Sequence, residues 1–425
     1  MAQKVSRRLN IMYQESRGHE SSSSSASSVA SLLQTKDAKH VGMNELRSRM
    51  TRHLYLHIPY CAKICPYCNF YKSPIREAAR AGGLDAFVDA VLTEAELRSC
   101  SGQFESVFFG GGTPSILNNQ QISRLIQGLQ KAYDLSAVKE FTVEMNPATV
   151  SLGKAEILLG LGVNRASLGI QSWDPEILNH LGRNHSVAAA EKSIKILRQA
   201  GFTNLNLDHI FSVPGQSTES WQQTLQHSLN LSPQHISAYS LTYEEDTPFF
   251  EMLTRGEVKQ DEEADAEFFA LTRSMLEGNG FVPYETSNFC KPGYQCRHNA
   301  AIWRGEHYLG LGPSAVSTLT ADGASGSTRT ERLRNIADTS TYITRLNAGV
   351  SPVDEHEHLT LEQLRTERLA LGLRTLEGVP YQVVGQSPPL SGLLESGLIK
   401  KTGETLSLTP RGRPLVDEIV LQLIS

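Results

Sequence analysis

The chain of 425 residues sets 40 Lys plus Arg against 45 Asp plus Glu, and a formal charge of -5 offers no polycationic surface for tracking a nucleic-acid backbone. Six cysteines in so long a chain are not a disulfide framework, so a reducing compartment is expected and stability must come from an apolar core. No stretch approaches the run of about 18 apolar residues of a membrane helix, which leaves at most peripheral membrane contact.

Residues 1–50 include the serine tract "SSSSSASSVASLL" and lack periodic apolar spacing, so they read as a disordered or non-native extension. Arg7, Arg8 and Arg17 among serines suit an organellar presequence, whereas Glu15, Glu20, Asp37 and Glu45 oppose one. The expected location is cytoplasmic, with mitochondrion or plastid as the alternative if this segment is a transit peptide. Met43 and Met50 are alternative starts.

From Thr51 onward, short strand-like runs alternate with helix-length amphipathic segments, the pattern of an α/β fold with a parallel sheet and crossover helices. The strands are expected at 53–58, 106–110, 140–145, 165–170, 206–213 and 235–241. The intervening helices include "LDAFVDAVLTEAELRS", "QQISRLIQGLQKAY", "AAAEKSIKILRQAG", closed by Gly201, and "SWQQTLQHSLNL". Six βα units in series predict an open, partial barrel over 51–285 with an extension over 286–351. Its functional groups belong on loops at the carboxyl ends of the strands. Near Pro352 the texture changes, and 352–425 reads as helix, helix, hairpin and helix, a small winged-helix-like module. Lys400, Lys401, Arg411 and Arg413 make only a modest basic cluster, so a packing lid is favoured over nucleic-acid binding.

"CAKICPYCNFYK" follows the first strand and places Cys61, Cys65 and Cys68 in a C-x3-C-x2-C loop. Thiolates at this spacing suit zinc or an iron–sulfur cluster. A structural zinc site takes four protein ligands, and the fourth would have to be His57 or a distant Cys290 or Cys296. Three closely spaced cysteines instead suit three corners of a [4Fe-4S] cluster, whose fourth iron is then open. Gly110, Gly111 and Gly112 after the second strand permit close backbone approach, and Glu144 is an acid within an apolar run.

The segment "LYLHIPYCAKICPYCNFYK" resembles the radical S-adenosylmethionine (SAM) superfamily, in the branch that holds oxygen-independent coproporphyrinogen III oxidases and HemW-type haem chaperones. "FFGGGTPS", "TVEMNP", "ASLGIQSW", "LGRNH", "NLDHIFSVPGQ", "CRHNAAIW" and "YLGLGPSAVS" extend the likeness over residues 52–425. The resemblance implies a partial (β/α)6 radical SAM barrel. It implies a [4Fe-4S] cluster on Cys61, Cys65 and Cys68, with SAM on the open iron and an electron donor for the cluster. It also implies SAM contacts from Tyr55, Gly111, Gly112, Thr113, Glu144, Gln171, Arg183 and Asp208, with Thr242 and Ala315 as further candidates. A salt bridge from Glu144 to Arg165 or Arg183 is the structural alternative.

Within the branch, the oxidases carry a fourth cysteine in C-x3-C-x2-C-x-C, where this chain has Phe70. "CRHNAAIW" resembles the H-N-x-x-Y-W segment associated with haem binding, with Ile302 in place of Tyr. The resemblance thus implies a haem chaperone serving apo-haemoproteins of the respiratory chain, with His298 as a haem-binding candidate, Cys296 as a further ligand and Trp303 as a flat face. The rival is a coproporphyrinogen III oxidase.

Overall fold

The computed structural model describes residues 48–49, 51–98, 100–322, 328–385 and 388–424. Apart from Ser48–Arg49, the extension over residues 1–50 and the choice of starting Met lie outside the described residues.

Six strands run parallel: β1 (His53–Ile58), β2 (Ser106–Gly111), β3 (Glu140–Met145), β4 (Arg165–Gln171), β5 (Leu205–Phe211) and β6 (His235–Ser240). They are neighbours in the order of the chain. The short antiparallel strands β7 (Val282–Pro283) and β8 (Asn288–Cys290) lie beyond β6, and β9 (Leu309–Leu311) runs parallel to β1. The order is open, with β7 and β9 at the edges, as an incomplete barrel requires. The strand boundaries agree with the sequence pattern to within two residues.

After α1 (Gly83–Leu97), each crossover helix starts at a local side-chain cap. Asn118 and Gln121 form a reciprocal capping box before α2 (Asn119–Ala132). Ser151, Ser186 and Ser217 cap α3 (Leu152–Gly160), α4 (Val187–Ala200) and α5 (Thr218–Asn230). Gly201 closes α4 at φ 110°, a left-handed value that a Cβ would resist.

The period of two along each strand then divides the sheet into two chemically different faces. Leu54, Leu56, Val107, Phe109, Phe141, Val143, Ala166, Leu168, Leu205 and Leu207 point to the helices and form one core with Val88, Val91, Leu125, Leu129, Leu158 and Leu197. The alternate positions, His53, Tyr55, His57, Ser106, Glu140, Thr142, Glu144, Arg165, Ser167, Asn206 and Asp208, share the opposite face. An apolar layer therefore holds the sheet, while the enclosed face is free to be polar.

After α6 (Glu262–Gly278) and α7 (Arg297–Trp303), a second sheet builds from β10 (Val316–Asp322), β11 (Thr328–Asn335) and β12 (Val353–Leu359), with β10 also pairing to Ser48–Arg49. A buried network joins it to α1. Glu94 pairs with Arg98 at 3.0 Å and accepts from Asn335 (2.7 Å), the Gly312 N–H (2.8 Å) and the Tyr342 hydroxyl (2.6 Å) of α8 (Thr339–Asn347).

The C-terminal module has its own apolar core, formed by α9 (Leu361–Gly372), β13 (Val379–Pro380), α10 (Pro388–Glu395), the hairpin β14 (Ile399–Thr402) and β15 (Thr405–Leu408), and α11 (Val416–Ile424). Of its cations, Lys401 lies over the Tyr381 ring at 3.8 Å and Arg411 donates to the Ser396 carbonyl at 3.4 Å. No helix among the described residues is long and apolar enough to cross a membrane.

Candidate cofactor site at the carboxyl ends of the strands

The cysteine loop leaves β1 at the end of the sheet where β2, β3 and β4 also finish, because parallel strands bring all their carboxyl ends to one side. Cys61, Cys65 and Cys68 are half-buried and form no disulfide among the described residues, and the Cys68 N–H donates to the Cys65 carbonyl at 3.2 Å. The loop is tied down at several points. The Pro66 carbonyl accepts from the Phe249 N–H at 3.2 Å, Asn69 donates to Glu244 at 2.9 Å, and the Lys72 ammonium caps the Cys68 carbonyl. Phe70 is 44% exposed beside this loop.

Two polar residues from other strand ends reach the thiols. The Thr113 hydroxyl lies 3.7 Å from Cys61 Sγ, and Arg183 Nη1 lies 3.6 Å from Cys65 Sγ and 3.4 Å from the Tyr67 hydroxyl. Arg183 Nη2 donates to the Gly169 carbonyl at 2.9 Å, while its buried Nε has no protein partner among the described residues. Burial pushes the Cys61 thiol up to about 11; Thr113 opposes that, and the neighbouring Cys68 and Cys65 add to it. Such a thiol gives up its proton when a metal centre supplies the compensating charge.

The glycine loop is explained by packing on β1 as much as by access. A Cβ on Gly111, at φ 109°, would stand 2.7 Å from the His57 ring, and one on Gly112 would stand 2.5 Å from the Pro59 carbonyl oxygen. The Gly112 N–H donates to the Ile58 carbonyl at 2.7 Å and the Gly111 N–H to Glu144 at 3.3 Å. His57 is locked in turn, donating from Nε2 to the Tyr71 carbonyl (2.9 Å) and accepting the Tyr55 hydroxyl at Nδ1 (3.0 Å). Burial lowers it to about 4, so it is neutral and both ring nitrogens are committed. This removes His57 as the fourth ligand of a zinc site. Cys290 and Cys296 are buried elsewhere, with Cys296 donating to Glu140.

Glu144 makes no ion pair with Arg165 or Arg183 among the described residues; its only hydrogen bond there is from Gly111. Burial, with the nearby Asp208 charge, raises it to about 7. Asp208 is raised as well, by burial, although Asn206 donates to it at 2.8 Å and Ser167 at 3.0 Å. Gln171 adopts φ 70° at the register shift between β4 and β5, and its Nε2 lies 2.9 Å from where a Cβ on Gly169 would stand. Arg165, only 2% exposed, lies within electrostatic reach of Glu140 and Asp208 and has a buried Nε without a partner among the described residues. The carboxyl ends therefore bring the Arg183 guanidinium and the Glu144 carboxyl towards three thiols, while Asp208 lies along the same face and Arg165, the first residue of β4, lies towards the amino ends with Glu140.

His298 lies at the opposite end of the sheet. Helix α7 docks against the first residues of β2 and β3, where Glu140 accepts from the Arg297 N–H (3.0 Å), the His298 N–H (3.2 Å) and the Cys296 thiol (3.4 Å). The imidazole approaches Ser106 Oγ at 3.1 Å and stacks on Phe108 at 5.2 Å. Burial lowers it to about 3. Cys296, His298 and Trp303, the thiolate, imidazole and flat face expected for a porphyrin, are all buried in this structure. Thr242 binds Glu244 and Ala315 is buried behind β9.

The sequence pattern named His57 only as a zinc-ligand candidate and Arg165 only as a salt-bridge partner for Glu144, and it passed over Ser167, Asn206 and Glu140. The signal was present as strict alternation in "HLYLHI", "EFTVEM" and "RASLGIQ", which marks every second residue as sharing the polar face.

Residues 55–227 match the model of the radical SAM superfamily. The heme chaperone HemW of Bacillus subtilis is 33% identical over 381 residues, covering 86% of this chain and 97% of that protein. The mitochondrial radical S-adenosyl methionine domain-containing protein 1 of Bos taurus is 32% identical over 386 residues, with 88% and 87% covered. Among solved structures, the radical SAM enzyme coproporphyrinogen III oxidase (HemN) from Escherichia coli superposes with a TM-score of 0.74 at 22% identity, over 90% of this chain and 92% of that one, which bears on the fold alone. The superfamily implies a [4Fe-4S] cluster with SAM, and the half-buried thiols of Cys61, Cys65 and Cys68 are the donor set such a cluster takes. This chain belongs to the radical SAM superfamily and, within it, to the HemW family.

Proposed function

We propose that the protein is a haem chaperone that holds a [4Fe-4S] cluster with SAM and passes haem to apo-haemoproteins. The observation carrying this reading is the near full-length relationship to the B. subtilis heme chaperone, together with an exposed Phe70 where the oxidases of the branch have a fourth cysteine. When bound, the cluster supplies three cysteine-held irons and one iron open to the amino and carboxylate groups of SAM.

The chain's own residues have distinct tasks in this reading. Cys61, Cys65 and Cys68 hold the cluster, and Thr113 and Arg183 set the polarity around the Cys61 and Cys65 sulfurs. Gly111 and Gly112 keep their backbone close to β1 and present it to the methionine part of SAM without a side chain in the way. Glu144, which accepts only the Gly111 N–H among the described residues, suits an ammonium group, and Asp208, already held by Asn206 and Ser167, suits ribose hydroxyls through its remaining acceptor capacity. Gln171, in a strained backbone conformation, presents an amide to the same space, and Tyr55 supports it by holding His57.

One comparison tests the reading. After anaerobic reconstitution, haem is titrated and its transfer to an apo-haemoprotein followed, while coproporphyrinogen III is supplied with SAM and reductant in parallel. Haem binding and transfer without protoporphyrinogen IX is the expected outcome; sustained formation of protoporphyrinogen IX sinks it in favour of the oxidase.

A further inference from the structure

Strand β12 reads Val-Asp-Glu-His-Glu-His-Leu, and its period of two puts His356 and His358 on one face. On β11, Glu331 pairs in register with His358 and Leu333 with His356. Glu331 Oε1 lies 3.2 Å from His358 Nδ1, and Oε2 lies 3.3 Å from His356 Nε2. One donor atom from each residue falls within 4.8 Å of the other two. A tetrahedral zinc ion with bonds of about 2.0–2.1 Å separates its ligands by roughly 3.3 Å, so each carboxylate oxygen stands at that spacing from one imidazole, and a small turn of the side chains within the 4.8 Å cluster brings one oxygen and both rings onto a single ion.

We propose that Glu331, His356 and His358 form a three-ligand site for a divalent transition metal, Zn²⁺ in the first instance, with a fourth position open to water. Two imidazoles and one carboxylate suit zinc and its neighbours, whereas magnesium and calcium take oxygen ligands. The ligands stand on paired strands, so the backbone ladder sets their spacing. The two rings meet edge to face, 4.8 Å apart at 69°, which lets ring nitrogens converge. Glu331 is 7% exposed, yet its other charged partner is Arg329, bound from Nε at 2.9 Å and itself half exposed. The remaining charges on β12 are engaged elsewhere: Asp354 with Arg345, Glu355 with Arg334 and Glu357 with Gln363. β12 is an edge strand that ends at Leu359, two residues before α9 begins. A metal here clips that edge to β11 and braces the connection into the C-terminal module.

The test is calorimetric titration of the cluster-loaded, full-length protein with Zn²⁺ in excess Mg²⁺. One equivalent is expected to bind and to raise the melting temperature, and the His356→Gln, His358→Gln double variant is expected to lose at least about tenfold in affinity and the thermal gain. Both histidines lie near the surface, and an unchanged far-UV spectrum and iron content show that the variant is folded and loaded. Repeating the titration with Cys61, Cys65 and Cys68 all changed to Ala makes the answer independent of the cluster and of the haem reading. Failure of the wild type to bind Zn²⁺, or equal binding by the double variant, overturns the site.

Discussion

Arg183 joins the loop after β4 to the cysteine loop: one guanidinium nitrogen lies 3.6 Å from Cys65 Sγ while the other donates to the Gly169 carbonyl at 2.9 Å. A planar fork can make both contacts at once, which a single ammonium cannot do, and its buried Nε has no protein partner among the described residues. Arg183→Gln should weaken SAM binding to the reconstituted protein about 10- to 100-fold, and Arg183→Lys should recover little of it. Calorimetry with SAM reads this, and full recovery by the Lys variant would refute the two-pronged role.

Each of Cys61→Ala, Cys65→Ala and Cys68→Ala should abolish the brown cluster absorbance and lower iron per chain to background. Far-UV circular dichroism should be unchanged, because the loop lies outside the apolar core that holds the sheet. Iron retained in all three variants contradicts the ligand assignment.

Glu144 sets a pH dependence in the ligand-free protein. Its carboxyl is raised from 4.5 to about 7 on folding, so between these values the folded state binds more protons than the unfolded one. Its favourable contribution is present below about pH 4.5 and is lost as pH rises through 7. Glu144→Gln should therefore gain on the wild type across this window, by on the order of 3 kcal/mol at pH 8. Urea denaturation of both proteins at pH 5 and pH 8 measures the difference, and a gap that does not change with pH excludes the raised carboxyl.

The α1 network should dominate the stability of the junction between the two sheets. Glu94→Ala leaves the Arg98 guanidinium, 2% exposed, without its counter-charge and strips acceptors from Asn335, Tyr342 and Gly312. A loss of about 3–5 kcal/mol is expected in urea denaturation. A loss below about 1 kcal/mol would mean that water replaces the network.

His298→Ala should act as a packing change. Removing a ring stacked on Phe108 and joined to Ser106 is expected to lower stability by about 2–4 kcal/mol while leaving haem affinity within about twofold. Loss of the haem spectrum at unchanged stability would instead return His298 to the haem site and require α7 to leave Glu140.

Much of the architecture was legible because it is written in local patterns. Strand boundaries follow apolar runs, and Gly201 ends a helix. The cysteine spacing is equally local, since three ligands on one loop need no other part of the chain to find each other. Roles that depend on a partner far away in sequence were not legible. His57 looks like a free imidazole until Tyr71 and Tyr55 take both its nitrogens, and His298 looks like a ligand until Glu140, 158 residues earlier, holds the start of its helix.

Local pattern alone was enough for an α/β chain of six βα units, a cluster-type cysteine loop at the end of the first strand, and a family. It took the folded sheet to show that Glu144 and Asp208 share one enclosed polar face, that Arg183 reaches the thiols, and that the start of the His298 helix is held by Glu140. The physical reason is that hydrophobic periodicity and capping act over a few residues. The ionisation and availability of a side chain depend on burial and on charges that come together only when the strands align.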